Sequence, residues 1–300
     1  MERAFITGIE GFTGRYLAAE LRAAGYDVTG TDMPHGEPMS PDIFQCDLCD
    51  KKAIRAVLAE VKPDVIVHLA GIAFVGHDDV DAIYRTNIVG TRNLLEALSV
   101  CGRVPRMVLL ASSSNIYGNA VAGIIGEGAS PAPANDYAVS KLTMEYMAKL
   151  WADHLPISFV RPFNYTGVGQ STQFLLPKIV EHFKRHAQII ALGNLDVVRD
   201  FSDVRQVVNC YRRLLDIGRE SAVRNEAFNI CSGIGHSLQD VISMMQKLSG
   251  HNLDVVVNPA FVRSNEVHKL IGSRAKLEAA IGRIDSIPLD ETLQWMLAAD

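Results

Sequence analysis

The chain has 300 residues, a hydrophobic fraction of 48% and a formal net charge of −5, which allows one large domain or two modest ones with ample material for a core. The acidic balance, with basic residues never clustered beyond a few, argues against a nucleic-acid partner. The N-terminus passes straight into an apolar strand and no apolar run reaches about 18 residues, so a soluble cytoplasmic protein without leader or membrane span is expected.

The first predicted strand, Ala4-Phe5-Ile6, runs through Gly8-x-x-Gly11-x-x-Gly14 into a helix whose Leu17 and Leu21 share one face. Glycine accepts positive φ and lets backbone N–H groups come close to a phosphate. The helix adds its unpaired N–H groups and the positive end of its dipole. A pyrophosphate cradle is therefore expected over Gly8, Gly11, Phe12, Thr13 and Gly14. A second strand, Tyr26 to Thr31, ends at Asp32, about 20 residues beyond the loop, where a carboxylate can accept from an adenosine ribose diol. Asp32 would repel a 2′-phosphate and no Arg follows in Met33-Pro34-His35, so NAD(H) is favoured and NADP(H) is the alternative.

A third strand, Ile43 to Leu48, carries Asp47 as a neighbour for the adenine, and a helix over Lys51 to Val61 is stopped by Pro63. The pair Cys46 and Cys49 lacks the second pair or His cluster of a zinc site, so no metal is expected, and five scattered cysteines fit a reducing compartment. Val65 to Gly71 reads as a strand buried on both faces, with His68 as a satisfied core histidine and Ala70-Gly71 small enough to lie against a cofactor. A long helix is predicted over Asp81 to Val100, burying Ile83, Asn87, Leu94, Leu95 and Leu98. A fifth strand, Met107 to Ala111, delivers Ser112-Ser113-Ser114-Asn115. Residues 119–135, rich in Gly, Ala and Pro, read as a flexible active-site loop. A helix capped by Asn135 or Asp136 then carries Tyr137 and Lys141 to about His154, and a sixth strand, Ile157 to Val160, ends at Arg161-Pro162-Phe163-Asn164.

Strands alternating with helices predict an α/β fold: a doubly wound parallel Rossmann sheet that binds ligands off its strands' carboxyl ends. Residues 1–164 form the dinucleotide-binding domain, with 203–228 returning to it. Residues 165–202 and 229–300 form a smaller mixed α/β substrate lobe, with a helix over Phe174 to Ala187, a strand Ile189 to Leu192, a short strand at Val255 to Val257 and a last helix from Leu289 to Leu297, while the returning stretch holds a helix over Val204 to Ile217 and a short strand near Phe228.

Tyr137 and Lys141 lie four apart, on one helical face. An ammonium about 5 Å from the phenol, at an effective dielectric near 20, would stabilise phenolate by roughly 3 kcal/mol, about two pK units. That moves the phenol toward general acid–base work, with Ser113 placed to hydrogen-bond the same substrate oxygen.

Gly8-x-x-Gly11-x-x-Gly14, Asp47-Leu48, Leu69-Ala70-Gly71, Thr86-Asn87, Ser112-Ser113, Tyr117-Gly118, Tyr137-x-x-x-Lys141 and Arg161-Pro162-Phe163-Asn164 together resemble the extended short-chain dehydrogenase/reductases that modify nucleotide sugars. The resemblance implies that Ser113 binds the reacting oxygen, Tyr137 is the acid/base and Lys141 holds the nicotinamide ribose. It also implies cofactor contacts at Leu48, Leu69, Asn87, Ala111 and Pro162. The segments 192–201 and 263–267 are similar to those that hold GDP in GDP-mannose 4,6-dehydratases and GDP-4-keto-6-deoxy-mannose reductases. Arg199 and Arg263 suit a diphosphate or ribose, and Ser114, Asn115, Asn164 and Glu266 complete the expected sugar-nucleotide contacts. The dehydratases carry a carboxylate base after the Ser/Thr; Ser114 and Asn115 supply none. The resemblance thus favours NAD(P)H-dependent reduction of the C4 ketone of a nucleotide-linked 4-keto-6-deoxy sugar, GDP-linked. A C4-epimerase retaining NAD+, a GDP-mannose 4,6-dehydratase and a non-enzymatic NAD-binding sensor are the rivals. A homodimer through the long helices is expected by analogy.

Overall fold

A computed structural model describes residues 1–34, 40–73, 79–118, 123–220, 223–261 and 268–299. Seven strands form one sheet: β1 (Arg3–Thr7), β2 (Asp27–Asp32), β3 (Ile43–Gln45), β4 (Val65–His68), β5 (Met107–Ala111), β7 (Ile157–Pro162) and β11 (Ala227–Ile230). Their order is β11-β7-β5-β4-β1-β2-β3 and every neighbouring pair is parallel. The uniform apolarity of β4 and β5 follows from this position, because both faces of a central parallel strand are covered. Helices α1 (Phe12–Ala23) and α7 (Val204–Asp216) pack Leu17, Leu21, Val207 and Tyr211 on one face. Helices α2 (Lys51–Val61), α4 (Thr91–Val100) and α5 (Asp136–Lys149) pack Ile54, Leu58, Leu94, Leu98 and Met144 on the other. The sheet is therefore doubly wound.

The helix expected over Asp81 to Val100 is broken into α3 (Val80–Tyr84), a wider π-helical stretch Arg85–Gly90, and α4. The reason is local: Asn87 turns its amide onto the backbone of Ile72, and the hydroxyl of Thr91 takes up the Asn87 carbonyl at 2.7 Å.

The other layer has its own core. Strands β6 (Ile124–Ile125), β8 (Asn164–Thr166), β10 (Val198–Asp203), β12 (Gly235–Ser237) and β14 (Lys269–Gly272) form a mixed sheet, and β9 (Ile189–Leu192) pairs with β13 (Asp254–Val257). Helices α6 (Leu175–Lys184), α8 (Leu238–Ser249) and α10 (Leu289–Ala298) bury Ile179, Phe183, Val241, Met245 and Leu293 against it. Helix α9 (Ala275–Ile281) goes back to α7 and β11, inserting Leu277 into the core on the α1 side of the large sheet. The segment expected as a flexible loop is held down over its described part, 123–135: β6 pairs with β14, and the Ala132 N–H bonds the Ile116 carbonyl at 2.9 Å. Gly118 has φ +52, and a Cβ there would collide with the Ala132 carbonyl oxygen. Among the described residues, no helix is long and apolar enough to cross a membrane.

Candidate active site

The glycine loop joins the carboxyl end of β1 to α1. A Cβ on Gly14 would stand 2.2 Å from the Gly8 carbonyl oxygen and 2.6 Å from that of Ile9, and Gly8 holds φ +71 with Ala70 backbone atoms 3.1 Å from its missing Cβ. The helix starts at Gly11 with no side-chain cap, so its first-turn N–H groups face the loop without a competing side chain. Bare backbone at a helix N-terminus fits a dinucleotide pyrophosphate. Asp32 lies at the mouth of this loop. Its Oδ2 accepts from the Glu10 N–H at 2.9 Å and its Oδ1 from the Met33 N–H at 2.8 Å, which fixes the carboxylate while leaving each oxygen a lone pair for a ribose hydroxyl.

The neighbouring strand ends close the same region. A Cβ on Gly71 would meet Asn87 Oδ1 at 2.7 Å and Lys141 Nζ at 3.4 Å, so these three positions converge just past β4. The Asn87 amide also donates to Ser140 Oγ at 3.0 Å, one residue before Lys141. Leu48 is buried and Asp47 Oδ1 accepts the Cys49 N–H at 2.8 Å, closing the turn after β3. Burial pushes the Cys46 thiol up to about 11 and raises that of Cys49, so both remain protonated thiols at neutral pH.

Tyr137 and Lys141 share the inner face of α5, which Asn135 caps by accepting from the Ala138 N–H at 2.9 Å. They are 8% and 6% exposed, and Ser113 is 4% exposed. The helix is pinned to β7 by a buried ion pair, with Arg161 Nη2 2.6 Å and Nε 2.9 Å from the two Glu145 carboxylate oxygens. Ser113 faces the Tyr137 phenol and acts to lower its pKa. The Lys141 ammonium donates to the Ala111 carbonyl at 2.8 Å, the last residue of the strand that delivers Ser113. Serine, phenol and ammonium therefore meet at the carboxyl ends of β4 and β5, beside the loop.

The electrostatics correct one expectation. Burial pushes the Tyr137 phenol up to about 12, against the lowering effect of Ser113, and Lys141 is not among the groups that move it. Burial pulls Lys141 itself down to about 8. The ammonium is turned toward the Ala111 carbonyl, so the phenol keeps its proton at neutral pH and stands as a donor.

The expected sugar-nucleotide contacts are placed less evenly. Ser114 is buried within the short turn after Ser113, and Asn115 is half-buried. Asn164 is half-buried on β8, with Nδ2 3.4 Å from the Asp200 carbonyl. Arg199 lies on β10 with Nη1 donating to the Val198 carbonyl at 3.0 Å. Arg263 and Glu266 lie outside the described residues.

Two features escaped the sequence reading. Tyr165, next to Asn164 on β8, shares a 2.8 Å hydrogen bond with the Thr13 hydroxyl and stacks on Phe12 at 6.2 Å, joining the glycine loop to the second layer. Its signal, an aromatic beside a candidate site residue, was present but not distinctive. His68 is a buried core histidine as expected, but it is also a connector. The Thr91 hydroxyl gives its proton to Asn87, so it accepts from His68 Nε2 at 2.8 Å, and Nδ1 receives the Thr7 hydroxyl at 2.7 Å. Burial holds this imidazole neutral, down to about 3.

The model of the NAD dependent epimerase/dehydratase family matches residues 4–231. GDP-6-deoxy-D-talose 4-dehydrogenase of Aggregatibacter actinomycetemcomitans is 34% identical over 283 residues, 93% of this chain and 91% of that protein. GDP-6-deoxy-D-mannose reductase of Pseudomonas aeruginosa is 32% identical over 308 residues, 99% of this chain and 96% of that protein. The structure of RMD from Pseudomonas aeruginosa complexed with NADPH superposes with a TM-score of 0.85 at 31% identity, covering 99% of this chain and 98% of that one. A Burkholderia cenocepacia J2315 crystal structure, provisionally assigned as an epimerase, reaches a TM-score of 0.92 at 54% identity, covering 99% of this chain and 97% of that one. With the dinucleotide loop, the strand-end acid and the serine, tyrosine and lysine assembled at one sheet edge, the chain belongs to the NAD dependent epimerase/dehydratase family.

Proposed function

We propose that this protein reduces the C4 ketone of GDP-4-keto-6-deoxy-D-mannose with a reduced nicotinamide cofactor. The observation that carries the reading is the buried Tyr137 phenol facing Ser113, at a site where positions 114 and 115 are serine and asparagine and supply no carboxylate. Two relatives, a GDP-6-deoxy-D-talose 4-dehydrogenase and a GDP-6-deoxy-D-mannose reductase, act on GDP-linked sugars that differ in configuration at C4. Their resemblance supports the nucleotide and the reacting carbon, and either configuration of product suits the reading.

When bound, the reduced nicotinamide supplies the hydride. The residues that would hold it are the bare loop backbone at Gly8, Gly11 and Gly14, Asp32 at the adenosine ribose and Lys141 at the nicotinamide ribose. As a C–H bond forms at C4, the carbonyl π pair moves onto oxygen and the Tyr137 O–H bond breaks to give that oxygen its proton. Ser113 orients the same oxygen. An oxygen gaining negative charge is stabilised by both donors, each less than a tenth exposed, where such hydrogen bonds are strong.

Asp32 favours NADH over NADPH by like-charge repulsion of a 2′-phosphate. Asp32→Ser is expected to raise the KM for NADH about tenfold, the worth of one charge-assisted hydrogen bond, and to lower that for NADPH. Steady-state assays with both cofactors check this; an unchanged ratio of the two would remove Asp32 from the adenosine site. Exposed Val89, Val100, Tyr146 and Leu150 on the α4 and α5 side support a homodimer, which sedimentation in solution tests. All five cysteines are free thiols, which supports a reducing, cytoplasmic setting.

The direct test is to supply GDP-4-keto-6-deoxy-D-mannose and NADH and follow both. One NADH oxidised per 4-hydroxy sugar formed is the expected result. Interconversion of 4-epimers without net oxidation would establish an epimerase instead, and a 4-keto product from GDP-mannose would establish a dehydratase.

A further inference from the structure

Ser113 caps the short turn that follows it, and its hydroxyl oxygen receives two hydrogen bonds from one residue. The Asn115 backbone N–H donates to Ser113 Oγ at 3.2 Å, and the Asn115 side-chain Nδ2 donates to the same atom at 3.1 Å. A serine hydroxyl has two acceptor lone pairs and one proton. Both lone pairs are occupied, so Ser113 has only its proton to offer. That proton is left for a partner in the site, which Tyr137 also faces.

We propose that Asn115 is a positioning residue that makes Ser113 a pure hydrogen-bond donor, and so selects a ketone rather than an alcohol as the group bound between Ser113 and Tyr137. A ketone oxygen has two lone pairs and no proton, and it matches two donors. An alcohol in the same place brings a proton that Ser113 cannot accept, facing a phenol that is itself protonated. An aspartate at this position would invert the pattern, because a carboxylate accepts, and it would draw the Ser113 proton away from the substrate. The selection rests on the reductase reading and deepens it: the pocket is set for the ketone before any cofactor binds. Of the titratable groups at the site, Tyr137 faces Ser113, Tyr165 acts on Tyr137, and Lys141 is held by the Ala111 carbonyl.

Asn115→Asp and Asn115→Leu separate this role from packing. The assay measures kcat and KM for GDP-4-keto-6-deoxy-D-mannose with NADH, from neutral pH down through the carboxyl range, alongside NADH binding. Asn115→Asp is expected to lose roughly 10- to 100-fold in kcat/KM at neutral pH, the effect of turning one charged donor contact around. It should recover as the pH falls and the new carboxyl becomes a donor again. Asn115→Leu should lose activity without recovering in acid, and both should bind NADH as the wild type does. Wild-type kcat/KM in Asn115→Asp, or equal losses in both variants with no acid recovery, would overturn the proposal while leaving the reductase reading in place. A wild-type protein that turns over no ketone would instead remove the reductase reading, and this role with it.

Discussion

Tyr137→Phe is expected to lower kcat by about 100- to 10,000-fold, the usual worth of a positioned general acid, while NADH affinity stays at the wild-type level. The substitution keeps the ring, which is 8% exposed on the inner face of α5, and removes only the hydroxyl that faces Ser113. Burial holds this phenol near 12, so the tyrosine carries its proton throughout the neutral range and the lost function is donation. Lys141 is engaged by the Ala111 carbonyl and stays in place in the variant. Stopped-flow turnover and fluorescence titration of NADH read the two effects separately. A fall in NADH affinity with turnover per bound cofactor preserved would make the residue structural.

Gly14→Ala is expected to weaken NADH binding by on the order of 100-fold, the effect of an ångström-scale displacement at a binding loop. The added methyl would stand 2.2 Å from the Gly8 carbonyl oxygen and 2.6 Å from the Ile9 carbonyl oxygen. Both obstacles are backbone, so no rotamer relieves them. The start of α1 must move off the loop, and the same N–H groups are the ones proposed to hold the pyrophosphate. Calorimetry of NADH binding and a thermal melt check the outcome together. Wild-type NADH affinity in this variant would contradict the loop's assignment.

The parts of the fold and site that were legible in the sequence are those where one local rule dominates. Val65 to His68 reads as a buried central strand because every side chain is enclosed, and the three glycines announce a turn that cannot hold side chains. Tyr137 and Lys141 were legible because helical spacing alone puts them on one face. The second layer was harder to read. Strand β10 carries Arg199, Asp200 and Asp203, a charged pattern that no strand rule selects. Asp200 is nonetheless fully buried, because the Ser232 N–H and hydroxyl, the Gly233 N–H and the Gly272 N–H all converge on its carboxylate at 2.7–3.2 Å. Those partners are distant in sequence and invisible before folding. Helix α8 is different: Leu238, Val241, Ile242 and Met245 have helical spacing behind a Ser237 and Asp240 capping box, so its signal was in the sequence and the reading passed over it. The Tyr137 phenol failed for a third reason. Helical spacing places Lys141 on its face, but where the ammonium points depends on the Ala111 carbonyl at the end of another strand.

The proposed reaction requires hydride to arrive at C4 of the sugar while Tyr137 supplies the proton. NADH carrying deuterium on both faces of its nicotinamide C4, reacted with GDP-4-keto-6-deoxy-D-mannose, tests this most directly, with the product sugar examined by mass spectrometry and NMR. One deuterium at sugar C4 for each cofactor oxidised is the predicted result. Product formed without label at C4, or label lost from the cofactor with no change in the sugar, would contradict it.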